Sequence, residues 1–307
     1  MMHIPDNLHH LLSGIIAVPA TPFNDRNIID ESSLRRYTRV ILDYGVCGIL
    51  VPALAAEVYQ LSNHERLQTI HIILDEVQGK IPVIGSATAD NSEDRLRAVE
   101  ELNQTGCDGI LVFIPFSGER QYKKEIIAIS RHIDRFLMLQ DWDFQGFGVP
   151  VPVIAELFDM IPSFKSLKIE VAFAGRKYTE VLEACNNKIH VAGGWASNQM
   201  IEGLDRGVHA YMPSVLHHIY KKIFDLYKHG DRSAAVELFN RILPVLAFTR
   251  QHPDISIHFN KRLLYRQGIF STYHVRKSDI QFDRYHARIT EELIELALNL
   301  SNNVLKT

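Results

Sequence analysis

Eight short apolar runs, each followed by an amphipathic segment, recur between residues 15 and 214. Several of the runs are apolar without polar alternation, which is typical of parallel strands that are buried on both faces. Eight such βα units favour a (β/α)8 TIM barrel over an open doubly wound sheet, although periodicity alone does not separate the two. No GxGxxG motif follows the first run, which weakens the dinucleotide-binding alternative. The runs are IIAVPA (15–20), GILVPA (48–53), IPVIGSA (81–87), DGILVFIP (108–115), FLMLQDW (136–142), SLKIEVA (166–172), IHVAGG (189–194) and HAYMPS (209–214).

The segments between the runs carry the start signals of helices, and a purely helical pattern follows the last run. Asp30 and Asn91 precede amphipathic stretches and are predicted to be N-caps. From residue 231 onward the pattern is helical, with apolar faces that need a partner surface on the barrel or on a neighbouring subunit. We therefore expect a barrel over residues 1–230 and a C-terminal helical extension over residues 231–307 that packs on it within one structural domain.

The charge balance excludes several classes of partner. The formal net charge is −3 and no long run of either sign occurs, so nothing recruits nucleic acid or an anionic membrane electrostatically. No apolar run approaches the roughly 18 residues that a membrane-spanning helix needs. The first residues lack the basic and apolar regions of a signal peptide. These features predict a cytoplasmic protein whose partner is a small molecule, with no nucleic acid and no membrane involved.

Neither the histidines nor the cysteines form a recognisable metal or disulfide pattern. The chain has 15 histidines, but the neighbouring pairs His9/His10 and His217/His218 cannot both face one metal, and there is no HExxH motif. The 3 cysteines are widely separated and odd in number, which favours free thiols. We expect scattered surface histidines, no bound metal and no cofactor.

Lys168 and Glu170 in the sixth run are the strongest candidates for chemistry, because reacting groups of a (β/α)8 barrel stand at the C-terminal ends of its strands. Lys168 would face a packed interior, where an unpaired ammonium group is costly. Burial favours the neutral amine, which can attack a ketone, whereas a lysine that reaches water or pairs with a carboxylate is the structural alternative. Period-two alternation puts Glu170 on the same face, one pleat away, either as a general base or as an ion-pair partner.

Weaker candidates follow from the same rule about strand ends. Asp141 closes the fifth run, where it is also a candidate cap or turn former. The glycine pair after the seventh run indicates a close backbone approach to a ligand or a tight turn. The weaker candidates are Glu57, Ser117, Gln140, Asp141, Gly193 and Gly194.

Five segments together resemble one known family. They are GIIAVPATPFNDRNIID, PALAAEVYQLSNHER, FIPF, SLKIE and KRLLYRQGI. On these segments the chain resembles the dihydrodipicolinate synthase / N-acetylneuraminate lyase family over almost its whole length. The resemblance implies a (β/α)8 barrel and a class I lyase that forms a Schiff base with pyruvate or a related 2-oxo acid. It also implies a homotetramer or homodimer, and it places the family's lysine at Lys168.

The chain departs from the family around that lysine. The family's GTTGE is ALAAE at residues 53–57, so both hydroxyls are lost, and the family's tyrosine pair becomes Phe116-Ser117. The strand-5 tyrosine and asparagine become Gln140 and Asp141, and an arginine becomes Gln145. These losses indicate a reaction other than dihydrodipicolinate synthesis. The substrate-binding positions that we expect are Ala55, Ala56, Glu57, Gln140, Asp141, Gly193 and Gly194.

The sequence Lys168-Ile169-Glu170 resembles the 2-keto-3-deoxy sugar-acid dehydratases, especially bacterial L-2-keto-3-deoxyarabonate dehydratases, in which that glutamate performs acid/base work. In this interpretation an iminium at C2 acidifies the C3 proton and Glu170 removes it. The C4 hydroxyl then leaves as water, assisted by Ser117 or a bound water. Dehydration of a 2-keto-3-deoxy sugar acid is the first hypothesis and a pyruvate-dependent class I aldolase is the second. A catalytically weakened barrel that binds a sugar acid is the third.

Overall fold

A computed structural model describes residues 8–305, apart from the side chain of Ala196. Within this range, eight parallel strands follow one another in chain order around a closed barrel, which confirms the predicted fold class. Residues 1–7, on which the expectation of no signal peptide partly rests, lie outside the described range. The strands are β1 (Gly14–Ala17), β2 (Gly48–Val51), β3 (Val83–Ser86), β4 (Gly109–Phe113), β5 (Phe136–Asp143), β6 (Phe164–Val171), β7 (His190–Gly193) and β8 (Ala210–Tyr211).

A helix follows every strand, and further helices complete the chain after the eighth unit. The predicted N-caps are confirmed: the Asp30 side chain accepts from Ser33 N, and the Asn91 side chain accepts from Asp94 N. Such side-chain acceptors satisfy N–H groups that the helix leaves unpaired at its start. The helices are α1 (Leu8–Leu11), α2 (Glu31–Asp43), α3 (Asn63–Val77), α4 (Ser92–Asn103), α5 (Glu119–Ser130), α6 (Val151–Met160), α7 (Ala174–Ala184), α8 (Met200–Asp205), α9 (His217–Lys228), α10 (Arg232–Thr249), α11 (Pro253–Arg266) and α12 (Arg284–Val304).

The chain divides into two compact units. The first unit comprises the residues up to Gly14 together with Pro82–Met212, and the second comprises Ile15–Ile81 together with the chain from Pro213 onward. In the second unit, α10 and α12 pack against α9, and α11 packs against the 3-10 turn Leu54–Ala56. The predicted boundary between a barrel and an extension at residue 230 stays a prediction.

The register of β4, β5 and β6 places specific side chains on one face of the sheet in the first unit. Phe113 is in register with Gln140, and Gln140 is in register with Lys168. One step further along the same strands, Trp142 is in register with Glu170. Because side chains alternate along a strand and partners in register share a face, all of these side chains stand on the same side of the sheet. This layer is where the strongest sequence candidates meet.

Several histidines lie in the interior, so the expectation that they are scattered on the surface is wrong for them. His190, His217 and His218 are buried. His190 is held between the Ser166 hydroxyl (2.7 Å) and the Leu12 carbonyl (3.0 Å), and burial lowers its pKa to about 3. An apolar environment penalises the charged imidazolium, so these side chains fill the interior as neutral rings.

The described residues contain neither a cluster suited to a metal ion nor a helix suited to a membrane. Among residues 8–305, no group of three or more histidine, cysteine, aspartate or glutamate side chains is arranged to hold a metal ion. No helix in this part of the chain is both long enough and apolar enough to cross a bilayer.

Candidate active site

Lys168 and Glu170 form a buried ion pair on β6. The Lys168 Nζ lies 3.0 Å from the Glu170 Oε2, and the two side chains are only 6% and 7% exposed. The predicted proximity of the two groups on one face of the strand is therefore confirmed. At this distance the carboxylate can take the proton that the ammonium must lose before the amine becomes a nucleophile.

The Glu170 carboxylate is held in a fixed orientation by two further donors. The Gln140 amide Nε2 donates to the Glu170 Oε2, the oxygen that also contacts Lys168. The backbone N–H of Trp195 donates to the other oxygen, Oε1, at 2.7 Å. Hydrogen bonds to a charged acceptor are stronger than neutral ones, so this arrangement keeps the carboxylate against the amine. A carboxylate fixed in this way is suited to repeated proton transfer beside an amine-bound substrate.

Gly193 and Gly194 allow close approach to protein side chains. A Cβ on Gly194 would overlap the Glu170 Oε1, and a Cβ on Gly193 would lie 2.6 Å from the Tyr211 ring and 2.8 Å from the Tyr178 hydroxyl oxygen. A close approach is therefore present at Gly194, but the group approached is the Glu170 carboxylate and not the ligand that the sequence predicted. Whether these glycines also contact substrate stays a prediction.

Substituting Gly194 with alanine is expected to impair Glu170 specifically. The added methyl group would push the carboxylate away from the Trp195 N–H and from Lys168, because the overlap is with Oε1 itself. A misplaced catalytic group of this kind costs about 100-fold in rate. We expect kcat for a 2-oxo acid of the kind that the family resemblance implies to fall by about that factor. The alanine variant of Gly79 serves as the control for backbone strain, because an added Cβ there meets nothing within 4 Å although the φ of 71° disfavours alanine. A Gly194→Ala enzyme as active as that control would contradict this assignment.

Asp141 lies on the opposite face of β5 from Gln140, because it is in register with Ile169. Its carboxylate pairs with Lys177 of α7, and the two side chains are 1% and 0% exposed. It also accepts from the Val149 N–H at 2.9 Å. Asp141 thus stabilises the loop after β5. Its side chain faces the helices and not the Lys168–Glu170 pair, in contrast to the substrate-binding position that the sequence predicted.

The Lys177–Asp141 pair is deeply buried and ties that loop to α7. The Lys177 ammonium donates to the Phe147 carbonyl and, at 2.7 Å, to the Val149 carbonyl. Burial raises the pKa of Asp141 and lowers that of Lys177, because both charged groups lose hydration, and their mutual attraction opposes both shifts. Lys177 was not predicted from the sequence, because nothing in the sequence around an isolated helical lysine indicates that it pairs with a buried aspartate on a strand.

Glu57 of the second unit is engaged by neighbours within that unit. It has a left-handed backbone conformation (φ 57°), and its carboxylate contacts the Lys261 ammonium and accepts from the Arg276 N–H at 2.9 Å. Burial lowers the pKa of Lys261 to about 8. The nearby turn is tied in place as well, since the Thr21 hydroxyl donates to the Ala56 carbonyl. These contacts give Glu57 a structural role, and the substrate contacts expected at Ala55, Ala56 and Glu57 stay predictions.

Ser117 lies exposed in the loop between β4 and α5, and its assistance to catalysis stays a prediction. Sequence reasoning missed Trp142, which is in register with Glu170, and Trp195, whose N–H donates to the Glu170 carboxylate. Trp142 could have been found, because period-two alternation from Gln140 places it on the inner face of β5. The contribution of Trp195 is a backbone N–H, which no residue type reveals.

Comparison with known proteins identifies the family of this chain. The model of the dihydrodipicolinate synthetase family matches residues 11–294. The chain belongs to that family. The coarse prediction of a lyase of this family is thereby confirmed, whereas the reaction is a matter for proposal.

Three relatives illustrate the range of names in the family. A protein of Oceanobacillus iheyensis, named as a probable 5-dehydro-4-deoxyglucarate dehydratase, is 25% identical over 299 residues and covers 93% of this chain and 94% of its own. A 4-hydroxy-tetrahydrodipicolinate synthase of Pelobacter propionicus is 24% identical over 244 residues and covers 76% of this chain and 82% of its own. The crystal structure of a dihydrodipicolinate synthase from Rhodopseudomonas palustris superposes with a TM-score of 0.87 at 20% identity, covering 93% of this chain and 98% of that one. The likeness to this structure bears on the fold alone.

Proposed function

We propose that this protein is a Schiff-base lyase for a 2-oxo acid and that it dehydrates a 2-keto-3-deoxy sugar acid. The observation that carries the proposal is the buried Lys168–Glu170 pair, with Nζ and Oε2 3.0 Å apart. Gln140 and the Trp195 N–H hold the carboxylate in place. The mechanism uses this lysine and this carboxylate, with Ser117 or a bound water assisting the loss of the C4 hydroxyl. A homotetramer or homodimer and a cytoplasmic location remain parts of the proposal.

The first step forms the imine. Lys168 passes its proton to Glu170, and the free amine attacks C2 of the substrate to give a carbinolamine. Glu170 returns the proton to the carbinolamine hydroxyl, which leaves as water, and a positively charged iminium remains at C2. The carboxylate is then regenerated beside the carbon that must next lose a proton.

The second step eliminates water. The iminium withdraws electrons and acidifies the C3 proton, which Glu170 removes as a general base. The electron pair moves to form an enamine and then expels the C4 hydroxyl, which takes a proton from Glu170, with Ser117 or a bound water assisting. With a pentonate, the unsaturated iminium then loses a proton from C5 and gains one at C3, and the resulting C4–C5 enol tautomerises to an aldehyde. Hydrolysis of the imine releases 2,5-dioxopentanoate and restores Lys168.

The surroundings of the amine favour dehydration over the synthase reaction. At the strand-5 position where the family resemblance expects a tyrosine, Gln140 donates its amide to Glu170. A carboxylate is therefore the acid/base group in contact with the amine. The relative from Oceanobacillus iheyensis is itself named as a probable dehydratase.

A class I aldolase is the second candidate, supported by relatives that are named as synthases. Both reactions share the iminium, but an aldolase breaks the C3–C4 bond after deprotonation of the C4 hydroxyl, whereas a dehydratase breaks C3–H and C4–O. The two candidates therefore differ in their products and not in the role of Lys168.

Product analysis with a 2-keto-3-deoxypentonate tests the proposal. We expect nuclear magnetic resonance to show loss of one water and formation of 2,5-dioxopentanoate, with turnover abolished in Lys168→Arg. Pyruvate and glycolaldehyde in place of the dioxo acid would establish the aldolase reaction. No turnover of this or of longer 2-keto-3-deoxy acids would contradict the proposal.

A further inference from the structure

Four aromatic side chains of the first unit form a continuous surface, which we call the aromatic wall. It consists of Phe113, Trp142, Phe144 and Trp195. The ring centroids of Phe113 and Trp142 are 5.3 Å apart, those of Trp142 and Phe144 are 5.4 Å apart, and those of Phe144 and Trp195 are 4.0 Å apart. The first two of these contacts are edge-to-face, an arrangement that aromatic rings favour.

The aromatic wall adjoins the Lys168–Glu170 pair at both of its ends. At one end, Phe113 and Trp142 stand on the same face of the sheet as Lys168 and Glu170, because β4, β5 and β6 are in register there. At the other end, the Trp195 N–H donates to the Glu170 Oε1. The wall is therefore continuous with the site of imine formation.

The wall also extends outward from the buried pair. Phe144 is 37% exposed, whereas Lys168 is 5% exposed. A substrate whose C2 is attached to Lys168 has carbons beyond C4 that must lie away from the amine. An apolar surface that begins at Glu170 and reaches solvent is a suitable place for those carbons, since burial of carbon-bound hydrogen on aromatic rings is favourable.

The charges around the wall disfavour a second carboxylate on the substrate. Asp141 is paired with Lys177, and Glu170 is paired with Lys168. Asp143 accepts from the backbone N–H groups of Gln145, Gly146 and Gly148. Lys177 and Lys168 are thus already paired with Asp141 and Glu170, and Lys168 becomes covalently bonded to the substrate in the imine. A further negative charge placed against the wall would lose hydration without gaining a cation from this group of residues.

We propose that the aromatic wall binds the part of the substrate beyond C4 and selects 2-oxo acids whose far end is uncharged. The inference rests on the proposed function and deepens it, because it names the substrate class: a monocarboxylic 2-keto-3-deoxy acid, such as a pentonate with a terminal hydroxymethyl group. The dicarboxylate 5-dehydro-4-deoxyglucarate, which appears in the name of one relative, is the class that the wall rejects.

Competition between the two classes tests the proposal on the unaltered protein. We expect kcat/KM for a 2-keto-3-deoxypentonate to exceed that for 5-dehydro-4-deoxyglucarate by at least about tenfold, which corresponds to about 1.4 kcal/mol. Equal or better use of the dicarboxylate would overturn the inference. Reductive trapping of pyruvate on Lys168 in the same preparation tests the proposed function separately, because pyruvate has no carbon beyond C3. A missing adduct would therefore contradict the proposed function. An adduct together with equal or better use of the dicarboxylate would contradict only the proposed role of the aromatic wall.

A variant of the wall gives a second readout. Phe144→Ala is expected to raise KM for the pentonate about tenfold while kcat changes less, because the ring contacts the substrate far from the reacting carbons. Phe158→Ala is the matched control, since that ring packs on Phe164 at the opposite end of β6 with a centroid distance of 5.9 Å. A KM for Phe144→Ala equal to that of the control would also overturn the inference.

Tryptophan emission reports on the wall directly, because the chain contains 2 tryptophans and both, Trp142 and Trp195, belong to it. A substrate analogue with a hydroxyl in place of the C2 ketone binds without forming an imine. We expect 3-deoxypentonate to change the emission at concentrations where 4-deoxyglucarate does not. The reverse order, or no response to either compound, would count against the wall as the binding surface.

Discussion

Replacing Glu170 with glutamine is expected to lower kcat for water elimination by about 10²- to 10⁴-fold, the usual contribution of a positioned acid/base group. Glutamine keeps the size of the side chain and can still accept from the Trp195 N–H, but it cannot take the proton of Lys168 or of substrate C3. The effect should appear in kcat and not mainly in KM, because the missing function is exerted in the transition state. Steady-state kinetics on a 2-keto-3-deoxypentonate would measure it.

The control for this substitution is the same change, glutamate to glutamine, at a position away from Lys168. Glu180→Gln alters an exposed ion pair with Arg176 on α7 and is expected to retain the activity of the unaltered enzyme. If Glu170→Gln eliminated water as fast as Glu180→Gln, Glu170 would have no part in the mechanism.

Replacing Lys177 with methionine is expected to destabilise the fold by about 3–5 kcal/mol, the range observed when one partner of a buried ion pair is removed. Asp141 would remain buried as an unpaired carboxylate, and the Phe147 and Val149 carbonyls would lose their donor. Chemical denaturation would measure the loss as a fall in the free energy of unfolding.

Two further variants distinguish the effect of breaking the buried ion pair from a general effect of removing a lysine on the free energy of unfolding. Adding Asp141→Asn to Lys177→Met should recover part of the loss, because the amide removes the stranded charge and can still accept from the Val149 N–H. Lys123→Met removes a lysine from a partly exposed pair with Glu156 and should cost less than about 1 kcal/mol. A loss below 1 kcal/mol for Lys177→Met would show that the buried pair contributes little.

The barrel and the contact between Lys168 and Glu170 follow from short-range regularities, which explains why they could be predicted. The strands appear as apolar runs, and the caps at Asp30 and Asn91 depend on residues within the same helical turn. The Lys168–Glu170 contact depends only on the period of a strand, since neighbours two positions apart share a face. The family resemblance then indicated Lys168 as the lysine that we expect to carry the chemistry.

The remaining contacts depend on distant parts of the chain, which no local pattern encodes. Asp141 meets Lys177 across 36 positions, and Glu57 meets Lys261 across 204. Alternation along β5 would have placed Asp141 on the outer face, but its position at a strand end and its match to the family's asparagine suggested a ligand-binding position. The burial of His190, His217 and His218 likewise depends on what packs around them.

Reductive trapping tests the central claim most directly. The protein is incubated with pyruvate and sodium borohydride, digested, and analysed by mass spectrometry. We predict that the peptide containing Lys168 gains the mass of pyruvate less one water plus two hydrogens. The buried lysines Lys177 and Lys261, engaged by Asp141 and Glu57, should remain unmodified. An unmodified Lys168, or an adduct confined to another lysine, would contradict Schiff-base chemistry at this site.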